Sequence, residues 1–307
     1  MRREIGNEIN GRHQFVGSLA ALKTRIPWWA KIGAKLVLSR IPITYKYWRR
    51  IGMFQLGPMK QPAYAYSVFR RHFDRVKFPR QQNGFAVLEL GPGDCLSSAI
   101  IAHAFGASAC YLVDTGAFAE SDLAPYRAMT AFLQEHDLNP MKIEGVSSLN
   151  ELLSRCHAIY GTSGLLSLRA IPDESLDLIW SQSVLEHIKE GEFQDVVREW
   201  RRVIRPNGVC SHHIDLKDHL GGALNNLRFS KDLWESEFMA NSGFYTNRIR
   251  YTEMLTIFEQ SGFDVEVVNA DRWERLPTPR EKFAEAFREI STDELLVSGF
   301  DVILHPK

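Results

Sequence analysis

From residue 84 onward, short apolar runs alternate with stretches of helical spacing, and this rhythm restricts the chain to parallel strands linked by crossover helices. Phe85-Ala-Val-Leu-Glu-Leu90 reads as a buried strand running into Gly91-Pro-Gly-Asp94. Residues 97–105 then show helical apolar spacing that stops at Gly106. A second strand is expected over 109–114, a helix over 126–136 and a third short strand over 141–146, with a helix and then a loop in 147–170. The pattern continues with a fourth strand at 176–181, a strongly periodic helix at 192–203 and a fifth strand at 209–214. A helix at 252–261 leads to a sixth strand at 263–268, and residues 299–305 form a seventh. The polar, Gly/Asn-rich segment 215–250 does not read as a core element and is expected to be an inserted lid or substrate segment.

Charge divides the chain in two. The formal net charge is zero, yet residues 1–73 hold 14 Lys/Arg against 2 acids and the remainder 23 against 35. The predicted organisation is a basic helical extension at 1–80 and one α/β domain at 81–307. Pro27 and Pro42 cut the extension into short helices, with 28–41 the best amphipathic stretch. Between 20 and 50, Lys and Arg alternate with Trp28, Trp29, Tyr45, Tyr47 and Trp48. Two readings of that segment stand. It lies on an anionic membrane surface and helps to reach a lipid-linked substrate, or it packs its aromatic side on the acidic body. No stretch of roughly 18 uncharged apolar residues and no leader are found, and Cys95, Cys110, Cys156 and Cys210 form no C-x-x-C pair, so a cytoplasmic setting is expected, with peripheral membrane contact as its variant.

A strand that ends in Glu-Leu-Gly-Pro-Gly and opens a helix presents backbone N–H groups to an anion or carboxylate, and its glycines admit a ligand close to the backbone. A dinucleotide dehydrogenase would carry a third glycine at position 96, where this chain has leucine. Asp114 ends the second strand 25 residues after Glu89, where a carboxylate can accept the ribose hydroxyls of an adenosine.

Five segments in order resemble the successive motifs of class I S-adenosylmethionine-dependent methyltransferases: Val87-Leu-Glu-Leu-Gly-Pro-Gly-Asp94, Tyr111-Leu-Val-Asp114, Ile171-Pro-Asp-Glu-Ser-Leu-Asp-Leu-Ile-Trp-Ser181, Val184-Leu-Glu-His-Ile188 and Arg202-Val-Ile-Arg-Pro-Asn-Gly208. The resemblance implies a Rossmann-like, doubly wound seven-stranded sheet whose last strand enters antiparallel, and S-adenosylmethionine as cofactor. It implies that Glu89, Gly91 and Gly93 line the methionine part of the cofactor, that Asp114 holds the ribose, that Thr115 sits beside the adenine, and that Ser181 and Gln182 face the sulfonium. A further adenine contact is expected around Leu168-Arg-Ala170.

Methyl transfer from a sulfonium is an in-line displacement that needs alignment and, for a hydroxyl acceptor, a base. His187, His213 and Asp215 are the candidate catalytic residues. The adjacent residues His212 and His213 point to opposite faces of the fifth strand, so only one of them is expected at the site. Asp218, His219, Asn225 and Arg228 are candidate contacts to a polyhydroxylated or anionic acceptor, a small molecule or glycan intermediate. The cluster also offers ligands to a divalent ion. Glu186-His187 resembles the pair that helps to hold a metal in ubiquinone-pathway and small-RNA 2′-O-methyltransferases, but their additional glutamate is replaced by Ser183, so no metal site is assigned. Two alternatives remain at this level: a nucleic-acid methyltransferase that uses the basic head, and a non-catalytic cofactor-binding or assembly protein.

Overall fold

The computed structural model describes residues 58–76 and 84–307. The amphipathic stretch 28–41 and the basic, aromatic segment 20–50 lie outside the described residues. Helix α1 (Pro62–Asp74) comes first, followed by β1 (Phe85–Leu90), α2 (Ser97–Ala104), β2 (Ala107–Val113), α3 (Ala124–Glu135), α4 (Leu149–Arg155), β3 (Ala158–Gly161), α5 (Leu165–Arg169) and β4 (Leu176–Gln182). Then come α6 (Glu190–Val203), β5 (Ile204–Asp215), α7 (Tyr251–Gln260), β6 (Phe263–Arg272) and β7 (Val297–Pro306).

The strands form one sheet in the order β3-β2-β1-β4-β5-β7-β6. β1 to β5 pair in parallel, and β7 runs antiparallel to both β5 and β6. This is the doubly wound sheet with an antiparallel last strand that the motif resemblance implied. Every residue of β1 is buried, because helices cover both faces, and this is why that strand reads as a continuous apolar run rather than an alternation. One layer packs α1, α2 and α3 against Val87, Leu178 and Trp180. The other packs α6 and α7 against Leu88, Ile179 and Cys210. Helix α6 buries Phe193, Val196, Val197, Trp200 and Val203, an apolar stripe at helical spacing.

Two expectations are corrected. Residues 141–146 are not a strand: Met141, Ile143 and Val146 are buried as a loop that fills the α2–α3 layer, and their alternation mimics a strand without a ladder partner. The third strand is the four-residue β3, too short to leave a periodic signal. Segment 215–250 is also not coreless. Leu220, Trp234, Met239, Phe244 and Tyr245 form a cluster with Phe229, and Leu224 and Leu227 pack on Phe283 and Leu295. Its helices are single turns, Lys231–Trp234 and Glu237–Ala240, so no helical period marks this core in the sequence. Among the described residues no helix is long and apolar enough to cross a membrane.

Gly91 connects the sheet to the site. Its φ of +64° is a left-handed conformation, and a Cβ there would lie 2.5 and 2.8 Å from the two methyls of Val184. The valine is β-branched and has little rotamer freedom with which to yield. Replacement Gly91→Ala is expected to lower unfolding stability by about 1–3 kcal/mol, from the backbone strain and overpacking together. The midpoint and slope of a urea titration measure it, and an unchanged midpoint would show that Val184 can move away.

Candidate active site

Register places the candidate residues in one row. Gly161, Val113, Leu90, Ser181, His212 and Val302 are consecutive partners across β3-β2-β1-β4-β5-β7. The residues one step beyond, Asp114, Gly91, Gln182 and His213, therefore emerge together at the carboxyl edge, with Asp301 of β7 beside His213. Ligands of open α/β sheets bind at this edge.

On the β1–β2 side, backbone bonds fasten three loops to one another. Gly91 N–H donates to Val113 O at 2.8 Å, Asp114 N–H to Gly161 O at 2.9 Å, and Gly164 N–H to Asp114 O at 2.9 Å. The Asp114 carboxylate accepts Gly93 N–H at 3.1 Å and Thr115 N–H at 2.8 Å. A carboxylate offers about four acceptor positions, so these two backbone donors do not exhaust it. Burial raises the Asp114 carboxyl, and the two backbone donors oppose that rise. Glu89 is buried on the α2 side and accepts the Ser98 hydroxyl, and burial pushes its carboxyl up to about 8. Lys60, just before α1, is 3.1 Å from Asp94 and 2.5 Å from Glu120, so it closes the back of the Gly-Pro-Gly-Asp turn.

The expected adenine contact at Leu168-Arg-Ala170 is displaced. These residues end α5 and meet Arg202 near the C-terminal end of α6, where Leu168 O accepts from Arg202 Nη2 at 3.1 Å, at the amino end of the strands. The loop that does reach the carboxyl edge on this side is 161–164, and the misplaced third strand hid it.

On the β4–β5 side, alternation separates the paired histidines as expected. His212 is fully buried, stacks on Trp200 at 4.7 Å and bonds Ser181 Oγ through Nδ1 at 2.7 Å. The Ser181 side chain is thereby turned into the α6 layer. Gln182 faces α1, and its Oε1 accepts from Arg71 at 2.6 Å. His213, on the same face, bonds Asp301 Oδ1 through Nδ1 at 3.3 Å, and Asp301 also pairs with Arg75 at 3.2 Å. Burial alone would raise the Asp301 carboxyl, but His213 and Arg75 outweigh it and bring it down to about 2. Arg71, Arg75 and Asp301 were missed in the sequence because contacts 88 to 226 residues long leave no local spacing signal.

After β4, Ser183 takes φ +54° and the chain turns through Leu185–His187. The inserted segment holds this turn in place. Asn247 Nδ2 donates to Leu185 O at 2.8 Å and Ile188 O at 2.9 Å, Asn247 N–H donates to Glu186 O at 2.6 Å, and His187 Nδ1 donates to Tyr245 O at 2.9 Å. Exposed His219 lies against His187, with ring centroids 4.7 Å apart. The other acceptor candidates serve the loop itself. Buried Asp218 accepts Leu220 N–H at 2.9 Å and the Asn225 N–H, and Asn225 Oδ1 accepts Arg228 Nε at 2.9 Å. Of the four proposed acceptor contacts, only His219 comes to the turn at His187.

Two histidines are removed from titration by packing. His72 of α1 is buried, stacks on Trp180 at 5.1 Å and bonds Ser211 Oγ at 2.8 Å. Burial, followed by the charges of Arg75 and Arg71, brings its pKa down to about 3, and burial does the same to His212. Below an unfolded-state value of about 6.5 the unfolded chain binds protons that the folded chain refuses, so stability present above that pH is lost as pH falls toward 3. Urea midpoints are expected to drop steadily between pH 7 and pH 4; a flat profile over that range would contradict the buried neutral pair.

Residues 137–211 match the family model described as a methyltransferase domain. No curated protein sequence matches significantly. Among solved structures, the chain is similar to phosphoethanolamine N-methyltransferase 2 of Haemonchus contortus (15% identity, TM-score 0.42, covering 78% of this chain and 53% of that one) and to the CurJ carbon methyltransferase (14%, 0.40, 80% and 54%). It is also similar to the [4+2]-cyclase SpnF (17%, 0.39, 79% and 82%). The chain spans about half the length of the first two. The domain match over 137–211 and the β3-β2-β1-β4-β5-β7-β6 sheet agree with the resemblance of the five ordered motifs, and together they give the chain the fold of the class I S-adenosylmethionine-dependent methyltransferases.

Proposed function

We propose that the chain transfers the methyl group of S-adenosylmethionine to a hydroxyl of a small polyhydroxylated or glycan-like acceptor, with His213 as general base. The observation that carries the base assignment is the His213–Asp301 pair beside Gln182. An ionised Asp301 only accepts, so His213 Nδ1 carries the proton and the lone pair stands on Nε2. The bound cofactor supplies a sulfonium methyl as electrophile. Asp114 would hold the ribose hydroxyls on its remaining acceptor capacity, and the positive-φ turn Gly91–Gly93 would let the amino-acid end approach the backbone. With the cofactor bound, His213 Nε2 would take up the proton that the acceptor hydroxyl gives up on methylation. Arg75 keeps Asp301 charged, which stabilises the imidazolium. Arg71, exposed beside Gln182, suits a hydroxylated or anionic acceptor.

Calorimetry with S-adenosylmethionine, with NAD as control, is the first test. Asp114→Ala is expected to weaken cofactor binding roughly 10- to 100-fold, the loss of two hydrogen bonds to a charged group. His213→Ala is expected to leave cofactor affinity intact and lower kcat about 100-fold or more on a hydroxylated acceptor, read as S-adenosylhomocysteine release from a panel of sugars, phenols and RNA. Turnover on RNA alone would replace this acceptor class with nucleic acid. Cofactor binding with no turnover on any acceptor would leave a cofactor-binding protein without catalysis.

A further inference from the structure

Glu186 is a buried carboxylate whose burial outweighs the backbone N–H groups of Glu186 and Asp215 and the charge of Lys217 that favour its ionised form. It is 2% exposed, and neither Oε1 nor Oε2 has a side-chain hydrogen-bond partner. A buried carboxyl in either protonation state is costly without a close side-chain partner, and two imidazoles are among the groups brought near it. One ligand atom each from Glu186, His187 and His219 lies within 4.8 Å of the others. The His187 ring is oriented as metal-bound imidazoles are: Nδ1–H donates to the Tyr245 carbonyl at 2.9 Å, which fixes the tautomer and leaves the lone pair on Nε2. The turn that carries Glu186 and His187 is rigid, because Asn247 bonds the backbone of Leu185, Glu186 and Ile188.

We propose that Glu186, His187 and His219 bind one divalent transition-metal ion, which fastens the inserted segment to the turn after β4. Two imidazole nitrogens and one carboxylate oxygen suit zinc and its first-row neighbours rather than magnesium or calcium, which favour oxygen alone. Donors about 2.1 Å from a tetrahedral zinc stand roughly 3.4 Å apart, so binding draws the three inward by about 1 Å. Exposed His219 supplies that movement, since it sits in the loop that ends in Gly221-Gly222. Three protein ligands leave a fourth position to water or another oxygen. The third ligand comes from the inserted segment, 32 residues after His187.

The site does not depend on the methyl-transfer reading, which uses Asp114 and His213, so it is tested without turnover. The full chain, free of any histidine tag and stripped with dipicolinate, is titrated calorimetrically with zinc chloride, and bound metal is counted by mass spectrometry after dialysis. The expected result is one zinc per chain with micromolar or tighter affinity, and a zinc-dependent rise in melting temperature because the ion binds only the folded state. His219→Ala and Glu186→Gln are each expected to weaken binding at least tenfold. His305→Ala, a surface histidine elsewhere, keeps it. Because His219 is exposed, its variant melts as the metal-free parent does, which separates loss of the site from loss of the fold. No saturable zinc binding by the parent, or equal affinity in His219→Ala, would overturn the proposal.

Discussion

The site depends on the register of the parallel strands. With Val113, Leu90, Ser181 and His212 in one hydrogen-bonded row, the next residue of each strand has no choice but to emerge at the same height. Asp114, Gly91, Gln182 and His213 are therefore brought to one edge although Gly91 and His213 are 122 residues apart in the sequence. A one-residue slip of β5 against β4 would exchange the faces of His212 and His213. It would place the histidine now stacked on Trp200 beside Asp301, and bury the other against α6. The antiparallel β7 contributes to the same row from the opposite direction, and that is how Asp301 reaches His213.

Local environment, rather than residue type, assigns the roles. His72, His212 and His213 lie within one small region, yet the first two are sealed under Trp180 and Trp200 and held neutral, while His213 keeps a half-open ring against a carboxylate. The two buried glutamates form a similar contrast. Burial pushes both up to about 8, but Glu89 receives the Ser98 hydroxyl, while Glu186 has no side-chain hydrogen-bond partner. The acid that accepts the Ser98 hydroxyl is part of the architecture of the glycine turn.

How far the sequence could be read follows from the range of each interaction. The long strands and α6 were legible because burial on one or two faces imposes a period on the residues themselves. The ribose-side carboxylate Asp114 and the glycine turn were legible because they follow strand ends directly. The four-residue β3 imposes almost no period, and its loss moved the expected adenine loop to the wrong end of the sheet. Arg71, Arg75 and Asp301 act at the site through contacts across the sheet layers, which no local pattern encodes. The aromatic core under 215–250 escaped for a related reason: Trp234, Phe244 and Tyr245 are gathered by single turns at irregular intervals, so the surrounding glycines and asparagines dominate the composition.

That inserted core also explains why the turn after β4 is rigid enough to be functional. A positive-φ residue such as Ser183 followed by one 3-10 turn has few bonds of its own and would fray if left in solvent. Instead Trp234 stacks on Tyr245 at 6.1 Å and donates through Nε1 to Thr246 O at 2.8 Å, so residues 245–247 are fixed from behind. Their carbonyl and amide groups then fix the turn from the front, through His187, Leu185, Glu186 and Ile188. The segment that looked like a loose lid is the template on which the His187 turn is built. A substitution that loosens Trp234 therefore acts on the site at a distance, by freeing the backbone that orients His187, without touching any residue at the carboxyl edge.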